Sequence, residues 1–138
     1  MPLRLAIPAT VAALAPAQDR LAAYLQPLGL SPWDRYRIDL LFEEVLMNVV
    51  LHAFGDAASS HAVDVTVEAG DSEVRLQFED DGPAFDPTTA EVHPPLRSLD
   101  DDRPAGGLGL QMLRRYSDSQ TWQRVSGRNL LMLTVRRA

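Results

Sequence analysis

The sequence predicts a single α/β domain of the two-layer α+β kind. Five short runs of alternating apolar and polar residues have strand spacing, and three longer segments repeat their apolar residues every three to four positions. The length, 138 residues, leaves room for one hydrophobic core, and no second catalytic domain is expected within it.

Leu3, Leu5 and Ile7 alternate with Arg4 and Ala6 and are stopped by Pro8, which predicts a first strand. Thr10 stands where a helix cap would. From Val11 to about Leu28 the apolar residues Val11, Leu14, Leu21, Leu25 and Leu28 predict a helix whose start Pro16 can delay. Ser31-Pro32-Trp33-Asp34 then combines a capping hydroxyl, a first-turn proline and a carboxylate near the positive helix end. The helix it opens should run to about Phe54, with Ile38, Leu41, Val45, Val49 and Leu51 facing the core. Glu44, Asn48 and His52 fall at i, i+4 and i+8 on another stripe.

Gly55 to Ser60 reads as a turn, and Val63, Val65 and Val67 as a half-buried strand. Gly70-Asp71 reverses the chain into Val74, Leu76 and Phe78, so the pair predicts an antiparallel hairpin ending at Asp80-Asp81-Gly82. From Pro83 to Pro104, both included, the chain carries five prolines, the acidic run Asp100 to Asp102 and no periodicity. A loop so long in so small a domain is typically a lid, a binding loop or a disordered stretch. Gly106-Gly107-Leu108-Gly109 opens a third helical pattern through Leu110, Leu113 and Tyr116. Ser119 to Val125 and Leu130 to Val135 read as two closing strands joined by a turn at Ser126 to Asn129.

Composition removes several functions. A net charge of -6 opposes the phosphate attraction that duplex binding needs, so no nucleic-acid partner is expected. There is no cysteine, hence no disulfide, thiol nucleophile or thiolate metal cage. All 13 basic residues are arginine, which removes the P-loop lysine, the protein-kinase strand lysine and Schiff-base chemistry. No apolar run approaches the ~20 residues of a bilayer span, and the first residues do not read as a signal peptide; a soluble, cytoplasmic protein without a membrane partner is expected.

Three constellations can carry chemistry. Glu44 and Asn48 lie one helical turn apart: the carboxamide can offer oxygen to Mg²⁺, and the carboxylate can orient or deprotonate a nucleophile. Glu43 points about 100° away and is not given that role. Taken alone, the spacing also describes an ordinary solvated helix face, and His52 a hydrogen-bonded helix-end histidine. Asp80-Asp81-Gly82-Pro83-Ala84-Phe85-Asp86 places a strand-end carboxylate, able to accept from an exocyclic amine, beside a glycine that admits a flat base; a plain turn has the same letters. Gly106-Gly107-Leu108-Gly109-Leu110 exposes backbone N–H groups at a helix start, a seat for phosphate or a simple hinge.

The conjunction of the three, in this order and with a long loop between the last two, resembles the GHKL (Bergerat-fold) ATP-binding superfamily. Glu44 to Phe54 looks like its N box, Asp80 to Asp86 like its first glycine box and Gly106 to Leu110 like its second. His52-Ala53-Phe54 and Phe85-Asp86-Pro87 are similar to the anti-sigma-factor serine/threonine kinases within it. The resemblance implies one domain over 1–138, a mixed, mostly antiparallel sheet covered on one face by about three helices, and a lid at about 83–105.

It also implies ATP and Mg²⁺ as cofactors, Asn48 as the metal ligand and Glu44 as general base toward a serine. Asp80 matches the residue reading the adenine amino group and Gly82 the glycine beneath the base, with Ala84 where the general pattern has glycine. Gly107 and Gly109 match the phosphate-holding lid glycines, flanked by Gly106, Leu108 and Leu110. His52 and Arg103 complete the nucleotide set, Arg103 being offset from where related kinases carry an arginine near the terminal phosphate. The partners implied are a STAS-domain anti-anti-sigma protein, a sigma factor and a second copy of the chain. The alternative is a non-catalytic nucleotide-binding module of a partner-switching pathway. The ATPase half of a two-component histidine kinase is not expected, since few residues precede Leu3.

Overall fold

The computed structural model describes residues 1–50, 61–84 and 113–137. Strand β1 (Leu3–Pro8) is followed by a 3-10 turn at Val11–Ala13, helix α1 (Leu14–Leu25) and a second 3-10 turn at Gln26–Leu28, closed by Gly29 in the left-handed region at φ 68. Helix α2 spans Pro32–Asn48. Strands β2 (Ala62–Ala69), β3 (Glu73–Asp80), β4 (Ser119–Val125) and β5 (Arg128–Arg136) complete the sheet, and residues 113–116 are helical.

Pro16 lies in the first turn of α1, where its missing N–H costs nothing. Thr10 has the extended backbone of a cap, but its side chain makes no capping hydrogen bond. Ser31 does: its Oγ accepts from Asp34 N–H at 3.1 Å, with Pro32 behind it, so α2 begins where the sequence places its start. After Asn48, residues 49–50 widen into a π turn; the expected continuation to Phe54 lies outside the described residues.

The strands are ordered β1-β2-β3-β5-β4, and every pairing among the described residues is antiparallel. The β2–β3 hairpin pairs Val65 with Phe78 and Val67 with Leu76. Alternation places Leu5, Ile7, Val63, Val65, Val67, Val74, Leu76, Phe78, Leu131, Leu133 and Val135 on one buried face, while Arg4, Asp64, Glu68 and Arg75 stand on the other. From α1 the residues Leu14, Ala17, Leu21 and Leu25, and from α2 Ile38, Leu41, Phe42, Val45, Leu46 and Val49, cover that buried face and join it in one core.

The β4–β5 turn is tighter than the sequence predicts. Ser126 (φ 51) and Gly127 (φ 76) form a two-residue hairpin loop of the type whose twist matches the flanking strands. Arg128 and Asn129, expected in or beside the turn, therefore belong to β5, which moves Asn129 onto the buried face.

One buried ion pair ties the far end of the sandwich together. Arg37 donates from Nη2 to Asp34 Oδ1 at 2.8 Å and to Arg136 O at 2.8 Å, and from Nη1 to Tyr116 O at 3.4 Å. It joins α2 to β5 and to the helical turn at 113–116.

Candidate functional site

The direction of α2 over the sheet brings two of the three constellations to one end. Arg37, near the start of α2, reaches Arg136, whose strand partner is Glu73 at the start of β3. Five residues further along each element, Phe42 meets Phe78 with ring centroids 6.2 Å apart. Helix and strand thus advance together. Asn48 lies about 9 Å beyond Phe42 at 1.5 Å per helical residue, and Asp80 about 7 Å beyond Phe78 at strand rise. No pairwise sequence pattern specifies that juxtaposition; the Phe42–Phe78 contact does.

On the helix side, Glu44 is half-buried whereas Glu43 is exposed, as the 100° offset requires. Burial pushes the Glu44 carboxyl up from the ordinary glutamate value, and the neighbouring Glu43 charge pushes it the same way. Asn48, one turn on, is 9% exposed, and among the described residues its Oδ1 is buried with no hydrogen-bond partner. A buried carbonyl oxygen left so costs about 1–3 kcal/mol, a cost the fold carries without return unless something docks there.

On the strand side, Asp80 is 7% exposed, while Asp81 is exposed and sits 3.1 Å from His61 Nδ1. Only the first of the two carboxylates therefore faces the interior. Gly82 N–H donates to Asp80 Oδ1 at 2.9 Å, the short local bond by which an aspartate turns the chain behind it. Gly82 is buried and Ala84 exposed. His52, Arg103, Gly106, Gly107, Leu108, Gly109 and Leu110 lie outside the described residues, as does most of the expected lid.

Sequence reasoning missed the residues that hold this strand end. Asn129, opposite Asp80 in the β3–β5 register, donates from Nδ2 to Asp80 Oδ1 at 3.1 Å and to Pro83 O at 2.8 Å. Its Oδ1 accepts from Trp122 Nε1 at 3.2 Å, and Arg124 donates to Gly82 O at 2.7 Å. The signal was present: Asn129 continues the inward stripe of Leu131, Leu133 and Val135, so a polar residue was in phase with the core.

Asn48 Oδ1 is a hard oxygen donor of the kind Mg²⁺ accepts. Among the described residues no group of three or more His, Cys, Asp or Glu is placed to hold a metal. The donor set therefore fits a magnesium ion held mainly by phosphates and water with a single protein ligand.

A family profile described as a histidine kinase-like ATPase domain matches residues 7–135, nearly the whole chain. The chain belongs to the histidine kinase-like ATPase domain family. The GHKL resemblance read from the three boxes stands with it. The serine/threonine-protein kinase BtrW of Bordetella bronchiseptica is 41% identical over 102 residues, 72% of this chain and 69% of that protein. Among solved structures, the RsbU and RsbW domains of a Mycobacterium tuberculosis protein superpose with a TM-score of 0.70 at 22% identity, over 99% of this chain and 32% of the other. A chain of the SiaB–SiaC complex from Pseudomonas aeruginosa superposes with a TM-score of 0.60 at 14% identity, over 97% of this chain and 89% of the other. At such identities the two structures speak for the fold of this ATPase-domain chain. No described helix is long and apolar enough to cross a membrane.

Proposed function

We propose that this ATPase-domain chain is an ATP-dependent protein serine kinase of the anti-sigma type, whose acceptor is a serine on a STAS-domain anti-anti-sigma partner. The observation that carries the reading is the buried, unpartnered Asn48 Oδ1 one turn from half-buried Glu44, at the same end of the sandwich as Asp80. Family membership supports ATP as the nucleotide, and the name of the 41% identical relative supports a hydroxyl acceptor on protein.

Asp80, Gly82, Asn48 and Glu44 take tasks that their surroundings suit, and the remaining residues take the tasks the family resemblance implies. Asp80 accepts from the adenine amino group, and Gly82 leaves the room beside it that a flat base needs. Asn48 would hold Mg²⁺ through Oδ1, and the metal, when bound, would supply neutralisation of phosphate charge. Glu44, a stronger base for being partly desolvated, takes the serine hydroxyl proton as the oxygen attacks the terminal phosphorus. Gly107 and Gly109, with Gly106, Leu108 and Leu110 around them, cradle the phosphates through backbone N–H groups, and Arg103 and His52 line the same nucleotide. The acceptor phosphoserine and ADP are the products, the bond from terminal phosphorus to the bridging oxygen being broken as the new one forms.

The chain acts as one domain over 1–138 with 83–105 as its lid, as a homodimer in the cytoplasm, and a sigma factor competes with the STAS protein for it. The test is Glu44→Gln with labelled ATP and a co-encoded STAS protein. Nucleotide binding should persist while label transfer falls by at least a hundredfold. Transfer at the wild-type rate would remove Glu44 as base, and binding without transfer in the wild type would leave a nucleotide-gated interaction module.

A further inference from the structure

Three side chains on the β4–β5 hairpin are spent on the strand end that carries Asp80. Asn129 is 5% exposed, and its side chain donates to Asp80 Oδ1, to Pro83 O and, more weakly, to Gly82 O, and accepts from Trp122 Nε1. An Asn amide has two chemically opposite ends, and which end meets Asp80 decides whether that contact attracts or repels. Indole N–H can only donate, so the Trp122 contact holds the carbonyl end of Asn129 toward β4 and turns the NH₂ end toward Asp80. Arg124 fastens the turn two residues beyond Asp80, its guanidinium donating to Gly82 O.

We infer that Asn129, oriented by Trp122, is a positioning residue for base recognition: it occupies Asp80 Oδ1 and thereby presents Oδ2 to the 6-amino group of a purine. The inference rests on the nucleotide reading above and deepens it, by assigning the choice of base to a residue on a different strand from the carboxylate that makes the contact. Two donors, Gly82 N–H and Asn129 Nδ2, converge on Oδ1, and among the described residues no hydrogen bond reaches Oδ2. A carboxylate with one oxygen held from two sides cannot rotate about its Cβ–Cγ bond without breaking both bonds. A 6-amino purine then finds an acceptor already aimed, whereas a 6-oxo purine brings an acceptor against it.

The test compares ATP with inosine triphosphate, which differs at the 6-position by an oxo group, by calorimetry on the full chain with Mg²⁺. The wild type should prefer ATP, and Asp80→Ala should abolish the preference. Asn129→Ala should weaken ATP binding about tenfold, the scale of one hydrogen bond to a charged group, and leave inosine triphosphate within about twofold. Trp122→Phe keeps the ring, loses the N–H that orients the amide and should reduce the ATP preference by a smaller factor. It serves equally if Asn129→Ala fails to fold.

A residue that only braced the fold would weaken both nucleotides by one factor, and that result overturns the inference. So does an ATP preference unchanged in both Asn129→Ala and Trp122→Phe while Asp80→Ala loses it, an outcome that leaves the nucleotide reading standing. A wild type that binds no ATP defeats both, and one that binds the two nucleotides alike removes Asp80 as the base reader.

Discussion

Replacing Asn48 by leucine should stabilise the protein and disable its nucleotide site at once. Leucine is close to asparagine in shape, so the exchange leaves little cavity. It removes a buried carbonyl oxygen that has no partner among the described residues, an orphan worth about 1–3 kcal/mol. Leucine is also the better helix former by a few tenths of a kcal/mol at this last residue of α2. In a domain of this size 1 kcal/mol moves Tm by roughly 4 °C, so the ligand-free variant should melt about 4–12 °C above the wild type. Saturating Mg²⁺-ATP reverses the order of effects. At a hundred times Kd a ligand adds about 2.7 kcal/mol to the wild type, and the variant should gain none of the Mg²⁺-dependent part. Scanning calorimetry with and without Mg²⁺-ATP reads both numbers. A ligand-free variant that melts below the wild type would mean the amide is satisfied within the fold, and the argument from an orphaned oxygen would be wrong.

Glu44→Gln bears on pH as well as on transfer. Because the folded carboxyl titrates above its unfolded value, its contribution favours the fold below the unfolded pKa and is lost as pH rises through the folded one. The glutamine variant should therefore be more stable than the wild type at neutral pH and converge with it at acid pH, and melting curves between pH 4 and 8 showing the opposite slope would contradict the burial argument. In the wild type, transfer should fail on the acid side at a higher pH than an ordinary glutamate would give, read from the pH profile of label transfer. Arg37→Ala removes the guanidinium beside a 1% exposed Asp34 and should lower stability by about 3–5 kcal/mol in urea unfolding followed by Trp fluorescence; a loss under 1 kcal/mol would deny the pair its structural part. The ATP and inosine triphosphate comparison at Asn129 should separate base reading from bracing, as set out above.

How much was legible beforehand differs between helix and strand residues. Glu44 and Asn48 share a stripe because they belong to one helix, and 3.6 residues per turn is a local rule. Asp80 was legible because alternation through Val74, Leu76 and Phe78 points it inward, where it is buried. Asn129 was misplaced because Ser126-Gly127-Arg128-Asn129 has the composition of a four-residue turn. The positive φ angles of Ser126 and Gly127 close the hairpin in two residues, and only the resulting β3–β5 register sets Asn129 opposite Asp80. The cap at Thr10 failed for a related reason: the residue has the extended backbone of a cap, yet its side chain bonds no helical N–H, a matter of rotamer that residue type does not decide.

Local signals along the chain, which are a property of neighbours, were enough to settle the five strands, the two long helices, the Ser31 cap, the shared stripe of Glu44 and Asn48 and the phase of Asp80 with the core side of its strand; the burial of Asn48 was not among them. Distance across the chain was not. That Asn48 and Asp80 share an end of the sandwich follows from Phe42 packing on Phe78 and Arg37 reaching Arg136, contacts between residues 36 and 99 positions apart. That Asp80 has one oxygen held follows from a register set by a two-residue turn nearly 50 positions away. Such pairings arise when buried faces find each other and local sequence has no term for them, so tertiary structure alone decided them.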